Sequence, residues 1–476
     1  MGFGLALAGC GSRVPIGEAV ESSGAAVTTD LTGVGGDVSQ GDDGDPVADD
    51  GGHAFDDFAG QPPPTGACDE EHPCLLDILV VVDNSGEMAA AQAALVRGLI
   101  PLVRRLETHV ADAEDPVDVQ MMFTTTDMGD PACAPFNPVG YVPAMGAPTA
   151  TGCNLRINDF IGLGSSPEVH PDVCTQTCFA DVVPTDPFVA FYGDASNNVG
   201  DGPSVDIDGD GAVDSVVAQA VACLAPQGIN GCGYESPLGA MMRALDPAAT
   251  WNAGERPFLR EGSRVVIVLL TTEIDCSTED PSVLDDPALW EINPNGGFPQ
   301  RSSAACWNAA MSCGETDGAG NYVDCALRDA PLVPASRYVE FLVDELSVLE
   351  GREVAMVAIT GVPEVTARSE TPPFEPTDGG LVRLAIHDFR EGLPPTGDML
   401  PGEAEDGVTP QELQWRYGIG AGCVRVDGED GVRGLPNPRI HEVCGSLDGE
   451  GEVRCCVESI CDPIARLDCI DGWVAR

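Results

Sequence analysis

The chain alternates short, dense apolar runs with longer helical patterns. Residues 76–83 form an almost wholly apolar, β-branched run, which reads as a strand buried on both faces. Asn84, Ser85, Gly86 and Glu87 follow, and then a helical pattern over 88–110. Leu95, Leu99, Leu102, Val103 and Leu106 share one face there. Residues 117–126, 263–271 and 354–360 read as three more buried strands. Residues 335–349 read as a helix with Val339, Leu342, Val343, Leu346 and Leu349 on one side. Buried strands alternating with helices predict an α/β fold, a mostly parallel central sheet flanked by helices. In such sheets ligands bind at the carboxyl ends of the strands. Polar clusters stand at those ends here, at 83–85, 124–127 and 271–275.

Two long insertions interrupt the pattern. Residues 129–231 hold Cys133, Cys153, Cys174, Cys178 and Cys223, and residues 276–330 hold Cys276, Cys306, Cys313 and Cys325. Loops of that length need help to stay ordered, and disulfides supply it by restricting the unfolded chain. From about 391 onward the chain is cysteine-rich and weakly periodic. Residues 11–66 carry eleven acidic residues against one arginine, Arg13, and read as a disordered acidic tether. The folded part is then expected over 67–476.

Composition narrows the function. The chain has 476 residues, 77 Asp+Glu, 23 Lys+Arg and a formal net charge of −54. None of the basic residues is a lysine. That balance opposes nucleic-acid binding and electrostatic docking on anionic lipid. Hydrophobic residues make up 43 %, enough for a large core.

Nineteen cysteines with six histidines and no CxxC pair argue for a disulfide framework rather than zinc. Adjacent Cys455 and Cys456 are expected to serve two separate bridges. Leu7-Ala8-Gly9-Cys10 resembles a bacterial lipobox, in which the cysteine is cleaved and lipid-modified. Only nine residues precede Cys10, so residues 1–10 are expected to be the truncated end of a longer signal. Setting Cys10 aside leaves an even set of 18, enough for nine bridges.

Asp83-x-Ser85-x-Glu87, between a buried strand and a helix, resembles the metal-ion-dependent adhesion site of von Willebrand factor type A domains. Three further segments fit the same likeness: 231–239 leading into a helix, 270–277 after a strand, and 333–342 before the strand at 354–360. Together they resemble the cysteine-rich type A lipoproteins of myxobacteria and related bacteria. The resemblance implies a Rossmann-like three-layer fold. It also implies a Mg²⁺ or Mn²⁺ site of hard oxygen ligands, in which a partner's carboxylate completes the metal shell. Asp83 and Ser85 carry over directly. Ser236 stands by loop position where the family has a threonine. Thr272 aligns with the family's third-loop aspartate, with Glu273 and Asp275 beside it. Glu87 replaces the second serine, and from one helical turn on it could take the partner's place on the metal. The alternative is that Asp83 and Ser85 only cap the following helix.

The function so implied is a lipid-anchored cell-envelope protein, expected in the outer membrane of a Gram-negative bacterium. It would bind a protein ligand with the help of a divalent metal. A structural envelope protein with a degenerate metal site is the alternative. A metal-dependent hydrolase is a distant third, since no GxSxG, HExxH or P-loop occurs and the histidines are scattered.

A second motif runs from Asp206 through Asp208, Asp210 and Ala212 to Asp214, with Gly211 at its sixth position. Oxygen donors at that spacing match an EF-hand-like calcium loop. Val217 stands where the closing glutamate is expected, so a structural Ca²⁺ that orders the first insertion is the expectation.

Overall fold

The computed structural model describes residues 74–474, apart from 112–116, 163–168, 180–181, 194–195, 291–300, 390–396, 401, 404–405, 428–429 and 450. The signal segment with Cys10 and the tether over 11–66 lie outside the described residues.

The apolar runs build one six-stranded sheet. Its strands are β1 (Cys74–Val82), β2 (Val117–Thr125), β3 (Val189–Phe191), β4 (Arg264–Leu270), β5 (Glu353–Thr360) and β6 (Cys455–Ser459). Their order across the sheet is β3-β2-β1-β4-β5-β6. Every neighbouring pair is parallel except β2 with the short edge strand β3. This is a doubly wound order, with its switch point between β1 and β4.

Alternation along each strand sends side chains to two separate cores. Ile78, Val80 and Val82 of β1 join one core with Val266, Val268 and Leu270 of β4. Leu79 and Val81 join the other with Val265, Ile267 and Leu269. Helix α1 (Ala89–Val110) and α2 (Val216–Leu224) cover the first face. On the second lie α3 (Pro237–Ala244) and the helix that begins as α4 (Ala335–Val339) and continues as a π-helix, Glu340–Leu349. The expected α/β architecture is therefore present as three layers.

Two features were not legible as periodicity. The C-terminal part belongs to the main fold. Its strand β6 pairs in parallel with β5. Helix α5 (Pro438–Gly445) packs on one face of the sheet and α6 (Asp468–Val474) on the other. β6 hides from a hydropathy reading because buried Glu458 interrupts it, satisfied there by both guanidinium nitrogens of Arg368. The insertions also build cores of their own. The first gathers Cys153, Phe160, Val173 and Ile229 against the start of α1. The second packs Trp307 and Leu284 with Phe389, Leu413 and Tyr417 from the C-terminal part.

Eight disulfides join described residues. Within the insertions they pair Cys153 with Cys174, Cys178 with Cys223, Cys276 with Cys306 and Cys313 with Cys325. Cys133 reaches out of the first insertion to Cys232. Cys455 and Cys456 do serve separate bridges, to Cys444 and Cys469. No helix among the described residues is long and apolar enough to cross a membrane.

Candidate metal centre

The sheet register defines the site. Val82 of β1 lies opposite Thr125 of β2 and Leu270 of β4. The next residue on each strand therefore brings Asp83, Thr126 and Thr271 side by side, about 5 Å from strand to strand. Asp83 is fully buried. One of its oxygens accepts from the Ser85 backbone N–H at 2.8 Å. The other accepts from Thr271 Oγ1 at 2.7 Å and from the Thr272 N–H at 3.2 Å. Burial holds the Asp83 carboxyl above its ordinary range, against the pull of these hydrogen bonds. Neither Asp83 nor Ser85 caps α1, because the N-cap position is Met88, which makes no side-chain cap.

Two further carboxylates flank Asp83. Glu273 follows Thr271, whose hydroxyl accepts the Glu273 N–H at 3.0 Å. On the other side, Glu235 accepts a hydrogen bond from the Thr126 hydroxyl. The loop carrying it is threaded over the strand ends by Gly231 N–H to Asn84 O, 2.7 Å, and Ser236 N–H to Thr126 O, 3.0 Å. A Cβ at position 231 would come within 2.3 Å of Asn84 Oδ1, so any residue but glycine would have to push the Asn84 side chain aside. Glu235 is completely buried and Glu273 nearly so. Burial first, and then the neighbouring charge of Asp83, raises both well above the usual carboxylate range. Asp127 adds to the same effect on Glu235.

Two buried oxygens at this place lack hydrogen-bond partners: Asn84 Oδ1 and Glu235 Oε1. A buried carboxylate with an unused oxygen, beside a second and a third carboxylate, lacks the compensation that burial normally demands. A hard cation would supply it, and a donor set of carboxylates and hydroxyl suits one.

The expected site residues do not all converge. Asp83, Ser85, Thr272 and Glu273 lie together. Ser236 sits at the N-cap of α3, next to Glu235, and its hydroxyl caps nothing. Asp275 turns elsewhere. It receives the Leu238 N–H at the start of α3, at 3.1 Å, and pairs with buried Arg439 at 2.8 Å. Glu87 points to the C-terminal part, where it accepts from Tyr417 Oη at 2.5 Å and Arg433 Nη2 at 3.3 Å. Arg433 also pairs with Glu403 at 3.0 Å and stacks 4.7 Å above the Tyr417 ring. Glu235 is the residue that sequence reasoning passed over. The signal for it was an acidic residue directly before Ser236, in a loop already aligned to the site.

The site is closed by the insertions. Tyr141 Oη donates to Asp127 Oδ2 at 2.7 Å and accepts from Asn84 Nδ2 at 2.9 Å. Arg301 lies 3.7 Å over the ring of Tyr234, the neighbour of Glu235, and pairs with Asp130 and Asp285.

The 206–214 loop stands apart from this centre. Among the described residues, Asp206, Asp208 and Asp210 form the carboxylate trio whose oxygens come within 4.8 Å of one another. At the Asp83 centre a cation would thus be reached partly through hydroxyls or water. In the loop, Asp206 accepts the N–H groups of Gly209 and Gly211, at 2.7 and 2.8 Å. Ala212 donates its own N–H to Asp210. Arg104 of α1 reaches in and pairs with Asp208, Asp210 and Asp214 at 3.0, 2.5 and 2.6 Å. A guanidinium is thus the cation these carboxylates hold, and Ca²⁺ would have to displace it. The cysteine trio 153, 174 and 178 is no thiolate site, because all three are oxidised in disulfides.

Compared with models of known protein families the chain matches none, and compared with curated proteins it again matches none.

Proposed function

We propose that this chain is a binding protein of an oxidising cell-envelope compartment, built around a divalent-metal centre at the end of β1. The observation that carries the reading is the Asp83–Glu235–Glu273 cluster, with Glu235 Oε1 buried and unpartnered. Asp83, Ser85, Glu235 and Glu273 would hold the ion, at most two of the carboxylates directly and the rest through water. When bound, it would supply a fixed positive charge that ties together the ends of three strands and the loop crossing them. Mg²⁺, Mn²⁺ and Ca²⁺ all suit oxygen donors. Eight disulfides support the compartment.

The contact surface we assign to the first insertion. Residues 131–155 contain no charged side chain, in a chain of net charge −54. Phe136, Val139 and Val142 stand exposed on that stretch. Cys133–Cys232 and Tyr141 fasten its base beside the centre. Direct capture of a partner's carboxylate, which the type A resemblance implies, would require these covering residues to move, because Asp83 has no exposed surface.

Calorimetric titration of the full chain with each ion tests the centre, with Asp83→Ala and Ser85→Ala beside the wild type. An isotherm lost in Asp83→Ala and weakened in Ser85→Ala supports the reading. If no ion binds, or if binding survives in both variants, the site is degenerate. The chain is then a structural envelope protein whose insertions alone recognise a partner. The burial of Asp83 and the diversion of Glu87 to Arg433 are the observations that favour that second reading.

A further inference from the structure

We propose that a cleft at the amino end of the sheet, away from Asp83, is a binding site for a neutral oligosaccharide. The proposal goes beyond the metal-centre reading and does not depend on it.

The cleft holds about 720 Å³. Small-molecule sites ordinarily hold about 300–1,000 Å³. Leu75 and Asp118, register partners near the starts of β1 and β2, line it. The turn after β3 and the turn before β4 supply most of the remainder. Asp83 stands at the far end of β1, roughly 26 Å away at about 3.3 Å per residue.

Part of the lining is framework. Arg260 donates to Asp77 Oδ1 at 2.7 Å and to the carbonyls of Leu76 and Asp118 at 3.0 and 2.9 Å. Asn198 holds the turn after β3, donating to Phe188 O and accepting the Ala190 N–H, each at 2.8 Å. Other polar groups have no such task. The hydroxyls of Tyr192 and Thr185 take no hydrogen bond among the described residues. Asp118 accepts the Gly193 N–H on one oxygen, at 2.9 Å, and leaves the other to the cleft. Glu255 pairs with no arginine among the described residues, and exposed Arg256 reaches only Asp186, at 3.4 Å.

Charge narrows the ligand. Asp77 and Asp186 already answer Arg260 and Arg256. Asp118 and Glu255 are then unbalanced, and an anion would be repelled. A small cation needs no cleft on a chain of net charge −54, and it would leave the hydroxyls idle. A sugar uses all of these groups, because each of its hydroxyls both donates and accepts. The carboxylates only accept, Arg256 only donates, and the Tyr192 and Thr185 hydroxyls do either. Half-buried Tyr192, with Leu75, Val199 and Pro257, adds apolar surface for the C–H face of a sugar ring.

The test uses the full chain in a chelator, so that an ion beyond β1 plays no part. An array of short neutral oligomers of glucose, galactose, mannose, xylose and N-acetylglucosamine is screened, with glucuronate oligomers as the acidic counterpart. The best ligand is then titrated by calorimetry into the wild type, Asp118→Asn and Tyr192→Ala, each checked for native circular dichroism. Asp118→Asn keeps an acceptor for the Gly193 N–H and removes the charge. A neutral oligomer is expected to bind, and each variant is expected to weaken it about tenfold. An array that retains no neutral oligomer would overturn the proposal. So would capture of the acidic oligomers alone, which would make the cleft an anion site. An affinity unchanged in either variant would place the sugar elsewhere and overturn it as well. Should Tyr192→Ala not fold, Tyr192→Phe decides, because it keeps the ring and drops the hydroxyl, and an unchanged affinity there has the same consequence.

Discussion

Buried carboxyl groups set much of the pH dependence of this molecule, Glu235 among them. Burial and the charge of Asp83 hold Glu235 well above the ordinary value of 4.5. The metal-free folded protein therefore retains a proton that the unfolded chain releases above about pH 4.5. Stability from this group is complete below the unfolded value and is lost as pH rises toward the folded one. Thermal melts in a chelator should show the wild type less stable at about pH 8 than at about pH 5. Glu235→Gln should make that slope shallower by removing one titrating group, with Glu273 leaving a remainder. A slope equally steep in Glu235→Gln would place the pH dependence elsewhere. Not every buried charge here belongs to the centre. Asp275 and Arg439 form a closed pair, with the acid also receiving a helix N–H. Such a pair costs desolvation on both sides and is compensated only by its own geometry. It positions α3, and with it the loop that carries Glu235.

At the scale of elements, the first insertion is fastened where it matters most. Cys133 and Cys232 are 99 residues apart, and their bridge joins the uncharged loop to the segment just before Glu235. Closing a loop of that length removes unfolded-state entropy equivalent to about 4–5 kcal/mol. Replacing both cysteines by alanine should lower stability by up to about that amount. Amide exchange should quicken in residues 130–149 and 229–236, while β1, β4 and β5 keep their protection. Unchanged exchange in those two segments would mean that Tyr141 and the Arg301–Tyr234 stack suffice to hold the insertion. The 206–214 loop is a different kind of element. Arg104 on α1 ties it to the core electrostatically, beside the packing of its Ile207.

Over the whole molecule the charge is extreme, −54 with arginine as the only fixed side-chain cation. Several of those arginines are spent internally: Arg260 on Asp77, Arg433 on Glu87 and Glu403, Arg439 on Asp275. The surface is left to repel itself. Raising KCl from about 0.01 M to about 0.5 M shortens the screening length from about 30 Å to a few Å. The melting temperature should therefore rise with salt, and most steeply at the low end. A melting temperature independent of salt would mean that the acidic groups are spaced too widely to interact. The uncharged loop gains meaning in this setting. It is a place where another surface can approach without meeting a carboxylate.

What the sequence determined by itself is local in origin. Apolar runs made four strands legible, and their alternation with helices implied the doubly wound sheet. From that sheet came the position of the site, beyond Asp83 at the end of β1. Asp83, Ser85 and Glu273 could be placed because each directly follows a strand. The structure decided whatever depends on the chain returning to itself. Thr126 meets Glu235 across 109 residues, and Glu87 meets Arg433 across 346. Arg104 meets the acidic loop across about a hundred. No periodicity encodes such meetings, because they are fixed by sheet order and by the disulfides that hold the insertions. β6 escaped notice for the same reason: its glutamate is tolerable only with Arg368 brought beside it, 90 residues away in the chain.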